Sequence, residues 1–327
     1  MATPTITEHS AVGHWSTGRS GTRVQLTETL LRDGAQAMPE EALQYFSVDR
    51  KMSVINELIA LGMPGIEVAS FAHPRVLPQF ADAEEIISRL PKDTSITFRA
   101  VTPNLRGLQR ASRAGAPGLV TMIGMLSCSE EYQRRNVQKS IEDGLDELAK
   151  MLDYSRAEGI RLIAGAGVAF ECPYEGHIDP ARVVSIVNRL ASIGFDEVWM
   201  GDTFGMASAP SVYALLAELR SQQPNMTFGV HLHNRHGLAL ANVLAAVDAG
   251  VTMFDTSLLG IGAGSVIPGN RTEMGNVATE EVAHLAESLG WATGIDLVGL
   301  RELGLQLAGE AGLDIRSRVL RTGISTA

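Results

Sequence analysis

From residue 23 to about 257 the chain alternates short, β-branched apolar runs with longer stretches whose apolar residues recur every three or four positions. The short runs fall at 24–29, 65–70, 96–102, 119–125, 162–170, 197–200, 228–233 and 252–257 and predict eight strands. Helical stripes lie between them. Val54, Ile55, Leu58 and Ile59 form one, closed by Gly62 where a helix end favours glycine. Ile141, Leu145, Leu148 and Leu152 form a second. Asp179-Pro180 opens a third, Asp as cap and Pro at the first position, with Val183, Ile186, Val187 and Leu190 on its inner side. Leu240, Val243, Leu244 and Val247 mark a fourth. Eight strand–helix units in series, with no linker between them, predict an α/β fold of the (β/α)8 TIM barrel type; a doubly wound open sheet is the alternative. The catalytic domain is expected over 22–327, C-terminal helices included, behind a loose polar arm over 1–21.

Composition narrows the function. The chain has 327 residues and a net charge of −10, which argues against nucleic acid or an anionic membrane as partner. No uninterrupted run of about 18 apolar residues predicts a membrane span. Two cysteines, Cys128 and Cys172, suit a reducing, cytoplasmic setting better than a disulfide scaffold. The expected partner is a small molecule, bound by a homodimer or higher homo-oligomer.

In a barrel, reactive side chains belong at strand C-termini. The polar clusters fall there: Arg32-Asp33-Gly34 after the first strand, Glu67 within the second, Tyr132 and Asn136 beyond the fourth. Glu171-Cys172-Pro173-Tyr174 follows the fifth, Gly201-Asp202-Thr203 the sixth, and a glycine-rich loop the eighth. His231 and His233 sit two apart on the seventh strand and so share one face, half of a metal site. Asp33 offers a carboxylate to the same ion; read alone it is a turn residue before Gly34. Two imidazoles and a carboxylate leave about three positions open on an octahedral ion, which suits Mg²⁺ or Mn²⁺, with Zn²⁺ also compatible. Arg32 supplies a permanent cation able to stabilise an enolate. Glu67, in an apolar run, needs a partner, and Arg32 is the nearest by topology. Asp202 reads either as a general acid/base or as a turn cap.

The stretches LRDGAQ (31–36), GIEVASFAHPRVLPQFAD (65–82), TPNLRG (102–107), CPYEG (172–176), GDTFG (201–205), VHLHNRHGLALAN (230–242) and GNVATEE (275–281) together resemble the DRE-TIM metallolyase superfamily. The chain is most similar there to the 3-hydroxy-3-methylglutaryl-CoA (HMG-CoA) lyases. The resemblance implies a metal-dependent carbon–carbon lyase that cleaves a hydroxy acid or hydroxyacyl-CoA by a retro-aldol or retro-Claisen route. It implies that Asp33, His231 and His233 bind the metal, with Asn276 a further ligand or near-ligand. Arg32 then stabilises the enolate, Glu67 orients Arg32, and Asp202 or His231 moves a proton. Gln36, Asn136, Arg235, Ser265 and Arg271 are expected to meet substrate, possibly an acyl-CoA. Two stretches depart from the lyases. Their catalytic loop cysteine aligns with Gly264, beside Ser265, and Asn234-Arg235-His236 is closer to the condensing branch, the isopropylmalate and homocitrate synthase type. Two alternatives follow: a condensing acyl transferase, or a barrel that binds metal and ligand without catalysis. The condensing type usually carries a C-terminal regulatory domain, so cleavage is the expected direction.

Overall fold

The computed structural model describes residues 21–92, 95–263 and 273–324. The main strands are β1 (Gln25–Glu28), β2 (Gly65–Ser70), β3 (Thr97–Thr102), β4 (Val120–Ser127), β5 (Leu162–Gly167), β6 (Glu197–Asp202), β7 (Thr227–Leu232) and β8 (Met253–Thr256). Among the described residues these eight close into one parallel barrel in which each strand pairs with its neighbours in sequence, and β1 pairs with β8 to shut it. The open-sheet alternative is thereby removed.

Alternation along each strand sorts side chains between two cores. Val198 and Met200 of β6, Val230 and Leu232 of β7 and Phe254 of β8 join the large apolar layer between barrel and helices. Trp199, Ile123 and Ile163 point the other way and form a small cluster with Val101 and Met253. Glu67, Arg99 and Asp255 are buried as well, so the barrel interior is part apolar and part charged.

The helices follow the stripes. Val48–Ala60 buries Met52, Val54, Ile55 and Leu58, and Ser47 caps it by accepting from the Arg50 amide. Pro180–Ile193 starts on the Asp179 carboxylate, which accepts from the Ala181 amide at 2.9 Å, and ends at Gly194, φ 109°. Three strand ends differ from those expected by two residues or more, and β4 runs two residues further, to Ser127. β5 stops at Gly167 rather than running to residue 170, because Val168 takes a left-handed backbone (φ 54°) that turns the chain. β6 runs two residues further, to Asp202. The expected arm over 1–21 lies outside the described residues except for Gly21.

Candidate active site

The site is built at the C-terminal mouth of the barrel by three segments. After β1 the chain folds over one carbonyl: the amides of Arg32, Asp33 and Gly34 all donate to Thr29 O, at 3.0, 2.7 and 3.1 Å. This turn carries Arg32 and Asp33 back over the mouth. β7 supplies His231 from within the strand and His233 one residue past its end, where His233 makes an isolated antiparallel bridge with Asn276. The segment bearing Asn276 is pinned from both sides, since Asn276 N donates to Gly260 O at 3.0 Å and Val277 N to Leu232 O at 3.0 Å.

Asp33, His231 and His233 offer one ligand atom each within 4.8 Å of one another. His233 Nε2 lies 3.2 Å from Asp33 Oδ2, His231 Nε2 4.0 Å from the same oxygen, and the two Nε2 atoms are 3.3 Å apart. The far side of each ring fixes its proton. His233 Nδ1 faces Thr203 O at 2.5 Å, and a carbonyl only accepts, so that nitrogen carries the hydrogen. His231 Nδ1 faces Asp255 Oδ2 at 3.1 Å with the same result. Each ring therefore turns its Nε2 edge toward the same carboxylate oxygen, Asp33 Oδ2. Three potential ligand atoms thus converge into a candidate cation site, each imidazole backed by a hydrogen-bond acceptor as metal-bound histidines are.

Asn276 completes the cradle. Its Nδ2 donates to Asp33 Oδ2 at 2.8 Å, while its buried Oδ1 has no protein partner. A half-turn of the amide exchanges the two atoms and gives the ion a fourth oxygen or nitrogen donor. Gly262 closes over this point: a Cβ there would strike the Asn276 amide and lie 2.7 Å from Asp33 Oδ2. The residues present thus fit a divalent metal.

Charge is arranged to match. Burial alone would raise Asp33, but Arg32 and the two imidazoles hold its carboxyl well below the ordinary range. Burial likewise opposes the charge on His233, yet Asp33 outweighs it and raises the ring's pKa. Arg32 donates from Nη1 to Asp33 Oδ1 at 2.6 Å and from Nε to Glu67 Oε1, so Glu67 does sit against the guanidinium.

Arg32, Asp33, Gln36, Asn136, His231 and His233 line one cavity of about 390 Å³. Glu67 lies behind it. Asp202 does also: its two oxygens accept from the amides of Met206 and Ala207, both at 3.1 Å, and burial raises its pKa. That is the turn-cap geometry, and it shapes the loop that brings Thr203 O to His233. Arg235 is exposed and lies outside the cavity lining. Ser265 and Arg271, with Gly264, lie outside the described residues. Sequence reasoning missed Asp255, Arg99 and the Thr203 carbonyl. The rule applied to Glu67, that a charge in an apolar strand needs a partner, would have found the first two.

A closed parallel barrel with an Asp-His-His cation site and a guanidinium at its C-terminal mouth defines a metal-dependent TIM-barrel enzyme. The chain belongs to the HMGL-like family, whose model matches residues 23–305. It is 33% identical over 296 residues to the hydroxymethylglutaryl-CoA lyase of Pseudomonas mevalonii, covering 90% of this chain and 95% of that one. It is 30% identical over 305 residues to a Pseudomonas aeruginosa 3-hydroxy-3-isohexenylglutaryl-CoA/hydroxymethylglutaryl-CoA lyase, covering 93% and 98%. An HMG-CoA lyase from Acinetobacter baumannii, solved with coenzyme A and 3-methylmalate, superposes with a TM-score of 0.84 at 28% identity over 93% of this chain and 96% of that one.

Proposed function

We propose that the protein is a divalent-metal-dependent carbon–carbon lyase that cleaves a 3-hydroxyacyl-CoA of the HMG-CoA type. The observation that carries this reading is the convergence of three potential ligand atoms, Asp33 Oδ2, His231 Nε2 and His233 Nε2, beside a fixed guanidinium. Asp33, His231, His233 and Asn276 would hold the cation, for which Mg²⁺ or Mn²⁺ suits the oxygen-rich, partly open ligand set. When bound it supplies Lewis acidity to a hydroxyl and an adjacent carbonyl or carboxylate oxygen.

The protein's own groups divide the remaining work. The hydroxyl proton is removed, the alkoxide collapses to a carbonyl, the Cα–Cβ bond breaks, and its electron pair passes into the thioester as an enolate, which a proton then quenches. His231, with Nε2 facing the ion and its Nδ1 hydrogen held by Asp255 Oδ2, is assigned to the cation rather than to the hydroxyl proton, which the cation would acidify and which is assigned to solvent. Asp202 is assigned the Thr203 loop instead, both its oxygens being occupied. Arg32, its Nε and Nη1 engaged, keeps Nη2 for the developing enolate. Gln36 and Asn136 are proposed to meet substrate from the same wall. The test is turnover of HMG-CoA and related hydroxyacyl-CoA esters with Mg²⁺ or Mn²⁺, beside Asp33→Ala. Cleavage lost in the variant supports the reading; a wild-type protein that binds metal but turns over none of them overturns it.

A further inference from the structure

Arg99 is 3% exposed inside the barrel and does not line the cavity. One of its nitrogens makes both of its polar contacts: Nη2 donates to Glu67 Oε2 at 2.7 Å and to Asp255 Oδ1. The other oxygen of each carboxylate is engaged at the site, Glu67 Oε1 with Arg32 and Asp255 Oδ2 with His231. Arg99 is therefore the middle of one chain, Arg32–Glu67–Arg99–Asp255–His231, joining the group assigned to the enolate with a metal ligand.

The rest of its surroundings fix the guanidinium without satisfying it. Its plane lies over the Trp199 ring, 4.0 Å from the centroid. The indole fits there because β7 has Gly229 opposite, where a Cβ would overlap the ring. Nε and Nη1 have no protein partner. A cation with two buried nitrogens unpaired costs stability relative to an apolar side chain of similar size. Retention at that cost points to the one thing Nη2 does, which is to bridge two carboxylates.

We propose that Arg99 is a positioning residue that holds Glu67 and Asp255 in fixed relation, and so couples the aim of Arg32 to the aim of His231. The proposal rests on the metal-dependent reading of the site, and its test begins with metal alone. Mn²⁺ is titrated into metal-stripped wild type, Arg99→Met and Arg99→Lys by calorimetry and electron paramagnetic resonance. Coulomb's law and positioning predict opposite signs. Removing a cation near a dication tightens binding, whereas releasing Asp255 lets His231 swing and weakens it, by about tenfold to a hundredfold. We expect the weakening in Arg99→Met, with kcat for HMG-CoA falling by a similar factor and KM within about threefold, since Arg99 does not touch the cavity. Because a single nitrogen makes both contacts, Arg99→Lys restores most of the affinity. Unchanged or tighter Mn²⁺ binding in Arg99→Met, or a folded lysine variant as weak as the methionine one, overturns the role of Arg99 alone. No Mn²⁺ binding by wild type overturns the reading of the site itself. Arg99→Gln, which keeps a single donor, replaces the methionine variant if that one does not fold, with the same two readings.

Discussion

At the scale of single residues, the site depends on side chains whose hydrogen bonds leave one functional atom free. Arg32 is the clearest case, with Nε on Glu67 and Nη1 on Asp33. Replacing it with Met removes the donor aimed at developing negative charge while leaving the cation's acceptors in place. We expect kcat to fall by about 10²–10³-fold, the usual cost of losing one such donor, with Mn²⁺ still bound on titration; loss of metal binding in step with activity would instead place Arg32 among the structural supports of the ion. The residues proposed to build the site were readable because each announces itself locally. His231 and His233 share a strand face, Asp33 follows a strand end, and Glu67 is a charge in an apolar run. Asp255 and Arg99 were not read: they lie 156 positions apart, and neither is explained until the barrel brings β3 and β8 to opposite sides of Glu67. The Thr203 carbonyl leaves no trace in side-chain types at all.

At the scale of elements, the turn after β8 matters most, because it leads from Thr256 toward Gly262 and the cation cradle. It is held by two buried carboxyl groups. Glu28, the last residue of β1, accepts from Leu258 N at 3.0 Å and from Thr279 Oγ1 at 2.5 Å. Glu280 accepts from Leu259 N at 3.1 Å, where the backbone is left-handed at φ 67°. Burial pushes Glu28 up to about 7, and burial with Glu28 nearby pushes Glu280 up to about 8, from 4.5. Both folded-state values lie above the unfolded one, so the folded state binds the extra protons. This contribution is complete below about pH 4.5 and is lost as pH rises through 7 to 8. Glu280→Gln keeps an oxygen for Leu259 N and never ionises. Its melting temperature should therefore gain on wild type as pH is raised from 5 to 9, followed by scanning fluorimetry; parallel curves would show that Glu280 is already charged at neutral pH. None of this is legible in the sequence, because the partners of Glu28 and Glu280 are backbone amides of a turn that only the closed barrel brings to them. The strands themselves were legible, since alternation and β-branching are local. The early end of β5 turned on Val168, left-handed at φ 54° with its amide donating to Thr203 Oγ1, 35 residues on.

At the scale of the whole molecule, the cation site lies on the seam that closes the barrel. Asp33 follows β1, His231 and His233 come from the end of β7, and Asn276 comes from the segment after β8, so the proposed ligands straddle the β1–β8 pairing that shuts the cylinder. A bound ion thus links chain positions 243 residues apart, the separation of Asn276 and Asp33. Folding brings these ligands together, so an ion that binds the folded state and not the unfolded one adds RT ln(1 + [M]/Kd) to stability, about 2.7 kcal/mol at a hundredfold excess over Kd. For a chain of this size that is roughly 4 °C in melting temperature. Mg²⁺ or Mn²⁺ added to EDTA-stripped protein should give a shift of that order, and Asp33→Ala should abolish it while melting near the metal-free wild type. The closing strand pair should respond most, since it is flanked by the ligands: hydrogen exchange at the β8 amides should slow on metal addition more than at the β4 amides across the barrel. A uniform slowing around the barrel would mean that the ion stabilises the molecule only globally and that the seam is not specially held.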